Sequence, residues 1–330
     1  MIDRRKFVSI SGAAVTAAML RPFADAHAAA GSLRLASLKF GSLNWLLETI
    51  KAEKLAERAG VGIETIEVAT NQAGPIALLS GDADVIVSDW TWAMRQRSLG
   101  QKLLFRPYSS SLGSIMVKKD GPITSLKDLE GKRLGVAGSA IDKSWIVLRA
   151  YSRSVLGRDI AEMVEPVFGA APLVAEELRN GRLDACLNFW TFAARLEGAG
   201  FKPLLAVDDM FQKLGIEPAP PLVGFVWREE TSVKKAAELK ALFEAVDAGN
   251  TVLATSEEAF DRIRPLMRAK TDPEFFALKA YYRAGIPKPW SDAHTAAAKR
   301  LFDLLVEQGG KELIGSTTFD AKLFDGARKQ

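Results

Sequence analysis

Two stretches of this chain carry residue types that could build a binding site. The run Ser80-Gly81-Asp82-Ala83-Asp84-Val85-Ile86-Val87-Ser88-Asp89-Trp90-Thr91-Trp92 recurs 100 residues later as Asn180-Gly181-Arg182-Leu183-Asp184-Ala185-Cys186-Leu187-Asn188-Phe189-Trp190-Thr191-Phe192. Each copy ends in a polar–aromatic cluster. Aromatic faces suit a flat or apolar solute, the Asp89 carboxylate an amine or N–H donor, and the Asn188 amide both donors and acceptors. Trp90 and Trp190 each follow the last residue of an apolar run and are expected to form opposed stacking walls. Trp92 and Phe192, two residues on, are expected to pack inward. Asp89 has a second reading, as the cap of a helix that starts at Thr91. Asp84 and Asp184 read as turn residues before buried strands, and Cys186 as an inert buried thiol.

Other candidates lie at similar places in the pattern. Gly41-Ser42 and Gly138-Ser139 each stand between an expected strand and an expected helix, where a serine caps N–H groups that can also hold an oxyanion. Asn44 offers an amide beside the first of these turns. Trp45 and Trp145 fall in first helical turns, although tryptophan more commonly belongs to a core. Acid–base or nucleophilic chemistry is poorly supplied. The two histidines are His27 and His294, the single cysteine is Cys186, and no H-E-x-x-H, C-x-x-C, G-x-x-x-x-G-K-[ST] or G-x-G-x-x-G run occurs. No enzyme, metal or cofactor is expected.

The elements that must position these residues alternate between short apolar runs and helical patterns, as in βα units with largely parallel sheets. Strands are expected at Leu33–Lys39, Ile63–Ala69, Asp84–Ser88, Lys102–Arg106, Ser114–Lys118 and Arg133–Ala137. Helices are expected at Leu43–Ala59, closed by Gly60, at Gly74–Leu79, and from Ser139 to Val155. Beyond Thr231 the pattern is almost wholly helical, with breaks at Pro265, Pro273 and Pro287–Pro289. The echo is too widely spaced for a solenoid. It points to two similar α/β lobes, whose ligands would bind beyond the carboxyl ends of the strands.

Bulk properties fit this picture. At 330 residues the chain exceeds what one core usually serves. A formal charge of +4, from 44 basic and 40 acidic residues, gives little support for nucleic-acid binding. Asp3-Arg4-Arg5-Lys6-Phe7-Val8, a diluted apolar segment to Leu20, and Ala26-His27-Ala28 read as a cleavable export signal of twin-arginine type over residues 1–28. The segment is too short and weak to span a bilayer, so the mature chain is expected to be soluble and periplasmic.

From about residue 33 to 310 the sequence resembles the nitrate/sulfonate/taurine branch of ABC-transporter periplasmic binding proteins, including its NMT1/THI5-like members. The marks are Phe40-Gly41-Ser42, Gly74 with Ala77-Leu78 ahead of Ser80-Gly81-Asp82-Ala83-Asp84, and Val117-Lys118-Lys119-Asp120-Gly121-Pro122-Ile123 followed by Ser125-Leu126-Lys127-Asp128-Leu129-Glu130-Gly131-Lys132-Arg133. The resemblance implies a two-lobed α/β fold of the periplasmic-binding-protein type II, with a ligand cleft between lobes and a helical C-terminal region. Lobe one would comprise 33–110 plus 222–330 and lobe two 111–221, with crossings near Pro107–Leu112 and Asp208–Leu222. The implied role is capture of a small organic solute, either a sulfonate- or taurine-like anion or a pyrimidine or aromatic compound, by a monomer that delivers it to a permease at the inner membrane. The expected ligand set, read from the strand ends and turns above, is Ser42, Asn44, Trp45, Asp89, Trp90, Ser139, Trp145, Asn188 and Trp190, and the resemblance adds that the family commonly uses the two Gly-Ser turns on its ligand. Two other roles are a ligand-sensing subunit docking on a receptor and a pyrimidine-forming enzyme. The cysteine-rich motif of those enzymes is missing.

Overall fold

A computed structural model describes residues 31–39, 41–315 and 317–328. The expected export signal and Phe40 lie outside the described residues. The strands are β1 (Ser32–Leu38), β2 (Gly62–Val68), β3 (Val85–Asp89), β4 (Leu103–Ser109), β5 (Ser114–Lys118), β6 (Arg133–Ala137), β7 (Glu165–Gly169), β8 (Ala185–Asn188), β9 (Phe201–Ala206) and β10 (Val223–Arg228). The helices of the first half are α1 (Leu43–Ala52), α2 (Leu55–Ala59), α3 (Ala73–Ser80), α4 (Trp90–Ser98), α5 (Lys143–Leu156) and α6 (Ile160–Met163). Then follow α7 (Ala171–Arg179), α8 (Trp190–Gly198), α9 (Val207–Lys213), α10 (Glu229–Lys234), α11 (Ala236–Thr255), α12 (Glu257–Met267), α13 (Asp272–Ala284), α14 (Asp292–Ile314) and α15 (Asp325–Arg328).

Two five-stranded sheets form, in the orders β2-β1-β3-β10-β4 and β7-β6-β8-β5-β9. The two orders are equivalent. In each, three parallel strands are followed by one antiparallel strand that enters from the other sheet's stretch of chain. The 100-residue echo therefore marks β3 and β8, the third strands of like sheets. Both faces of each sheet are covered, so neighbouring residues of one strand enter different cores: Val85 joins one cluster and Ile86 another. The chain passes between sheets at residues 110–113 and returns at 214–222.

Several helix limits differ from the sequence pattern. The helix expected over Leu43–Ala59 is broken at Lys54, whose φ is 52°, and Gly60 caps the second piece at φ 80°. The helix expected from Ser139 begins four residues later at Lys143, because Asp142 rather than Ser139 caps it. Pro265 lies inside α12 without ending it, and the break comes at Arg268 in left-handed geometry. Pro273 sits at the start of α13, where its missing N–H is harmless. The helical tail is not confined to the first sheet: α13 packs on α8, and α14 on α5 and α4.

Asp84 and Asp184 hold equivalent positions. Each accepts the backbone N–H of a residue near the start of the neighbouring strand, the third of β1 (Arg34, 2.9 Å) and the first of β6 (Arg133, 2.8 Å), and returns a backbone bond to the same residue. Asp84 is buried and also accepts from the Arg34 guanidinium and from Lys235 Nζ. Burial alone would raise its pKa, but the bonds from Arg34 and Lys235 more than offset this and bring it down to about 2. A depressed folded-state pKa gives stability that is present above the unfolded value near 4 and lost as pH falls towards 2. We expect Asp84→Asn to lower the unfolding free energy by about 2 kcal/mol at pH 7. The difference from wild type should shrink to little by pH 2, as read from urea midpoints across that range.

Candidate functional site

The parallel strands of each sheet end on one edge. In the first sheet the β1–β3 register brings the β1–α1 turn beside Asp89, and Val223 of β10 pairs with both Asp89 and Ser109. In the second, the β6–β8 register aligns the turn after Ala137 with the end of β8. The two edges meet. Lys143 Nζ, at the start of α5, lies 3.3 Å from Asp89 Oδ1, and the Trp45 and Trp190 rings meet edge to face at 6.0 Å and 86°. Both contacts join one sheet's strand ends to the other's.

At the first edge Ser42 precedes α1 but makes no side-chain cap bond; its Oγ accepts from the Tyr108 hydroxyl at 3.0 Å. Burial pushes the Tyr108 phenol well up, so it remains a donor. Trp45 is buried between Trp190 and Tyr282, whose ring lies 5.9 Å away. Asp89 fulfils the cap reading, one residue earlier than expected, since α4 begins at Trp90. It caps α4 by accepting from Trp92 N–H at 2.8 Å and from Thr91 Oγ1, and it also faces the opposite edge. Burial would raise its pKa, but Lys143 and these hydrogen bonds hold it below the usual carboxylate range.

At the second edge Ser139 is exposed and lies in the turn that leads to Asp142. Gly138 has φ 102° there, and a Cβ would come within 3.2 Å of the Asp142 carboxylate. Trp190 is half-buried at the first residue of α8, and Phe189 before it is 41% exposed.

Four expected ligand residues are placed elsewhere. Trp90 is 0% exposed, packed edge to face on Phe324 at 5.9 Å within the core beneath the first sheet, so it is no stacking wall. Trp145 is likewise buried, against Phe168. Asn44 spends its amide on its own turn, accepting from Ser37 Oγ and donating to the Leu38 and Lys39 carbonyls. Asn188 is buried, donating to the Ala171 carbonyl and accepting from Phe189 N–H. In both asparagines a backbone group of the adjoining loop claims the amide first. Sequence reading missed Lys143, Tyr108 and Tyr282. Lys143 follows the true cap Asp142, so a cap search one turn further along would have pointed to it.

A depression of about 480 Å³ lies along α9 and the return crossing, lined by Asp208, Asp209, Gln212, Ile216, Glu217, Pro218 and Ala219. Burial and then the neighbouring Asp209 push Asp208 up to about 6. Among the described residues no helix is long and apolar enough to cross a membrane, and no group of three metal-ligating side chains occurs.

Solved structures share the fold. The periplasmic aliphatic sulphonate binding protein SsuA from Escherichia coli matches with a TM-score of 0.69 at 15% identity, over 91% of this chain and 92% of that one. The alkanesulfonate-binding protein SsuA from Xanthomonas axonopodis pv. citri, bound to MOPS, matches at 0.61 and 18%, over 84% and 93%. The desulfurization enzyme DSZB matches at 0.57 and 15%, over 87% and 94%. The α/β fold, with its helical C-terminal region, is thus that of periplasmic binding proteins, and an enzyme shares it. Comparison with curated protein sequences gives no match. The family described as NMT1/THI5 like matches residues 57–258, more than half of the sequence. The chain belongs to the NMT1/THI5-like family.

Proposed function

We propose that this protein is the solute-binding subunit of an ABC importer. It captures a small organic solute between the two strand-end edges and hands it to a membrane permease, without chemistry of its own. The carrying observation is the meeting of two like-built edges through Asp89–Lys143 and Trp45–Trp190, one polar and one aromatic contact. Residues 1–28 direct export, and the mature chain works as a periplasmic monomer. Binding of sulfonates by the two SsuA proteins supports an organic acid as one part of the solute.

The likeness to DSZB raises an enzymatic reading, and the side chains weigh against it. The Cys186 thiol lies in a buried strand, where burial pushes its pKa up to about 12 and leaves no thiolate. His294 lies on α14 against Trp290, with its Nδ1 engaged by Ser291. Neither stands at the strand ends.

A thermal-shift screen of sulfonates, carboxylates, amino acids, pyrimidines and aromatic acids tests the proposal. A true solute at a hundred times its Kd adds about 2.7 kcal/mol and should raise the melting temperature by roughly 5 °C. It should then be recovered unchanged after prolonged incubation. Turnover of the bound compound would establish an enzyme instead.

A further inference from the structure

The charges at the two edges do not make a site for a bare anion. Lys143 is the cation that spans the gap, and it is already paired with Asp89. Asp142, the residue before it, caps α5 by accepting from Ser144 N–H at 2.9 Å, so the helix N-terminus also holds a carboxylate. Burial raises the Asp142 pKa more than the nearby Lys143 lowers it. With both carboxylates ionised, this trio carries one net negative charge; with Asp142 protonated it is neutral. In neither state does Lys143 offer uncompensated positive charge. Lys39, which the β1–β3 register brings to the same edge, is paired with Glu67 at 3.1 Å.

The Asp89–Lys143 pair is nevertheless open to a solute. Its side chains are 30% and 29% exposed, and the contacts to Asp89 from Thr91, Trp92 and Lys143 all fall on Oδ1. A simple anion that drew Lys143 away would leave Asp89 facing the closed gap without its cation, and a half-buried charge that loses its partner is strongly disfavoured. A solute bearing both a cationic nitrogen and an acid group replaces each half of the pair with a new partner.

Resting on the solute-binding reading above, we infer that Asp89 and Lys143 form a two-part subsite that selects zwitterionic solutes. The solute's cationic nitrogen donates to Asp89, and its acid group accepts from Lys143. Without solute, the two side chains bind each other and hold the edges together.

Matched acids that differ by one ammonium group test this by calorimetry: taurine against ethanesulfonate, β-alanine against propionate, and 4-aminobutyrate against butyrate. The expected result is that at least one ammonium-bearing member binds at least tenfold more tightly than its partner. Asp89→Asn keeps an acceptor for the Trp92 N–H, so the α4 cap and the fold survive. It should abolish that preference, and by releasing Lys143 it should improve binding of the ammonium-free acid. Lys143→Gln should weaken the zwitterion at least tenfold. Ammonium-free acids that bind the wild type as tightly as their partners overturn the inference and leave solute capture standing. So does a broad screen that finds a ligand while every zwitterion fails. If the broad screen also finds nothing, both readings fall together.

Discussion

Trp90→Ala lowers the unfolding free energy by about 3–5 kcal/mol, the loss expected when a fully buried aromatic ring is removed from a close-packed core. The ring has no solvent exposure, and Phe324 meets it edge to face. Trp190→Ala behaves in the opposite way. That ring is half-buried, and its edge-to-face contact is with Trp45 on the other side of the gap. Its loss should lower the stability of the empty protein by only about 1–2 kcal/mol, since such a ring pair contributes about 0.5–1.5 kcal/mol beyond its area and the ring is only half-buried. Solute affinity should fall about tenfold, which corresponds to about 1.4 kcal/mol. Urea unfolding of the empty protein and calorimetry with the solute separate the two variants. A stable Trp90→Ala protein with weakened binding would return Trp90 to the cleft wall.

The second large effect is expected at Glu274, where the helical tail is fastened to the second sheet. Glu274 is 3% exposed at the start of α13. Its Oε1 accepts from Arg179 of α7 at 2.8 Å, its Oε2 from Lys270 N–H at 2.8 Å, and Arg195 of α8 stands 3.8 Å from Oε2. Helix α8 comes so close that a Cβ on Gly198 would lie 2.5 Å from the Glu274 backbone nitrogen. Arg195 also donates to the Met267 and Arg268 carbonyls, which ties α8 to the end of α12. Removing the carboxylate leaves two guanidinium groups facing each other in a partly buried site. Glu274→Ala should therefore cost about 3–5 kcal/mol. Glu274→Gln, which keeps the shape and an acceptor oxygen, should cost clearly less. Equal urea midpoints for Glu274→Ala and wild type would show that the tail is held by apolar packing alone.

Much of the fold is legible locally. Apolar runs bounded by glycine and polar residues mark strands because a strand buried on both faces has no other composition to offer. Ser114–Lys118 and Arg133–Ala137 are found with the same limits in the structure. The echo marks two like sheets because the two copies occupy the same position in the same strand order. Helix limits are less legible. The serine after Gly138 looks like a cap, yet the chain continues for a further turn before Asp142 provides one.

The sequence by itself determined the class of fold and the doubling of the sheet. It also determined the structural role of Asp84 and Asp184, because an aspartate just before a buried strand has unpaired N–H groups of the neighbouring strand within reach. Tertiary structure alone decided which tryptophan meets the gap. Trp90 and Trp190 share one local context, each at the first residue of a helix after a strand. They differ because Phe324, from the far end of the chain, folds back to cover Trp90, while Trp45 meets Trp190 from the opposite edge. The charge of the site was decided the same way. Asp89 ends a strand of the first sheet and Lys143 begins the helix that follows β6 of the second, and no spacing along the chain records a pair that forms only when the two edges meet.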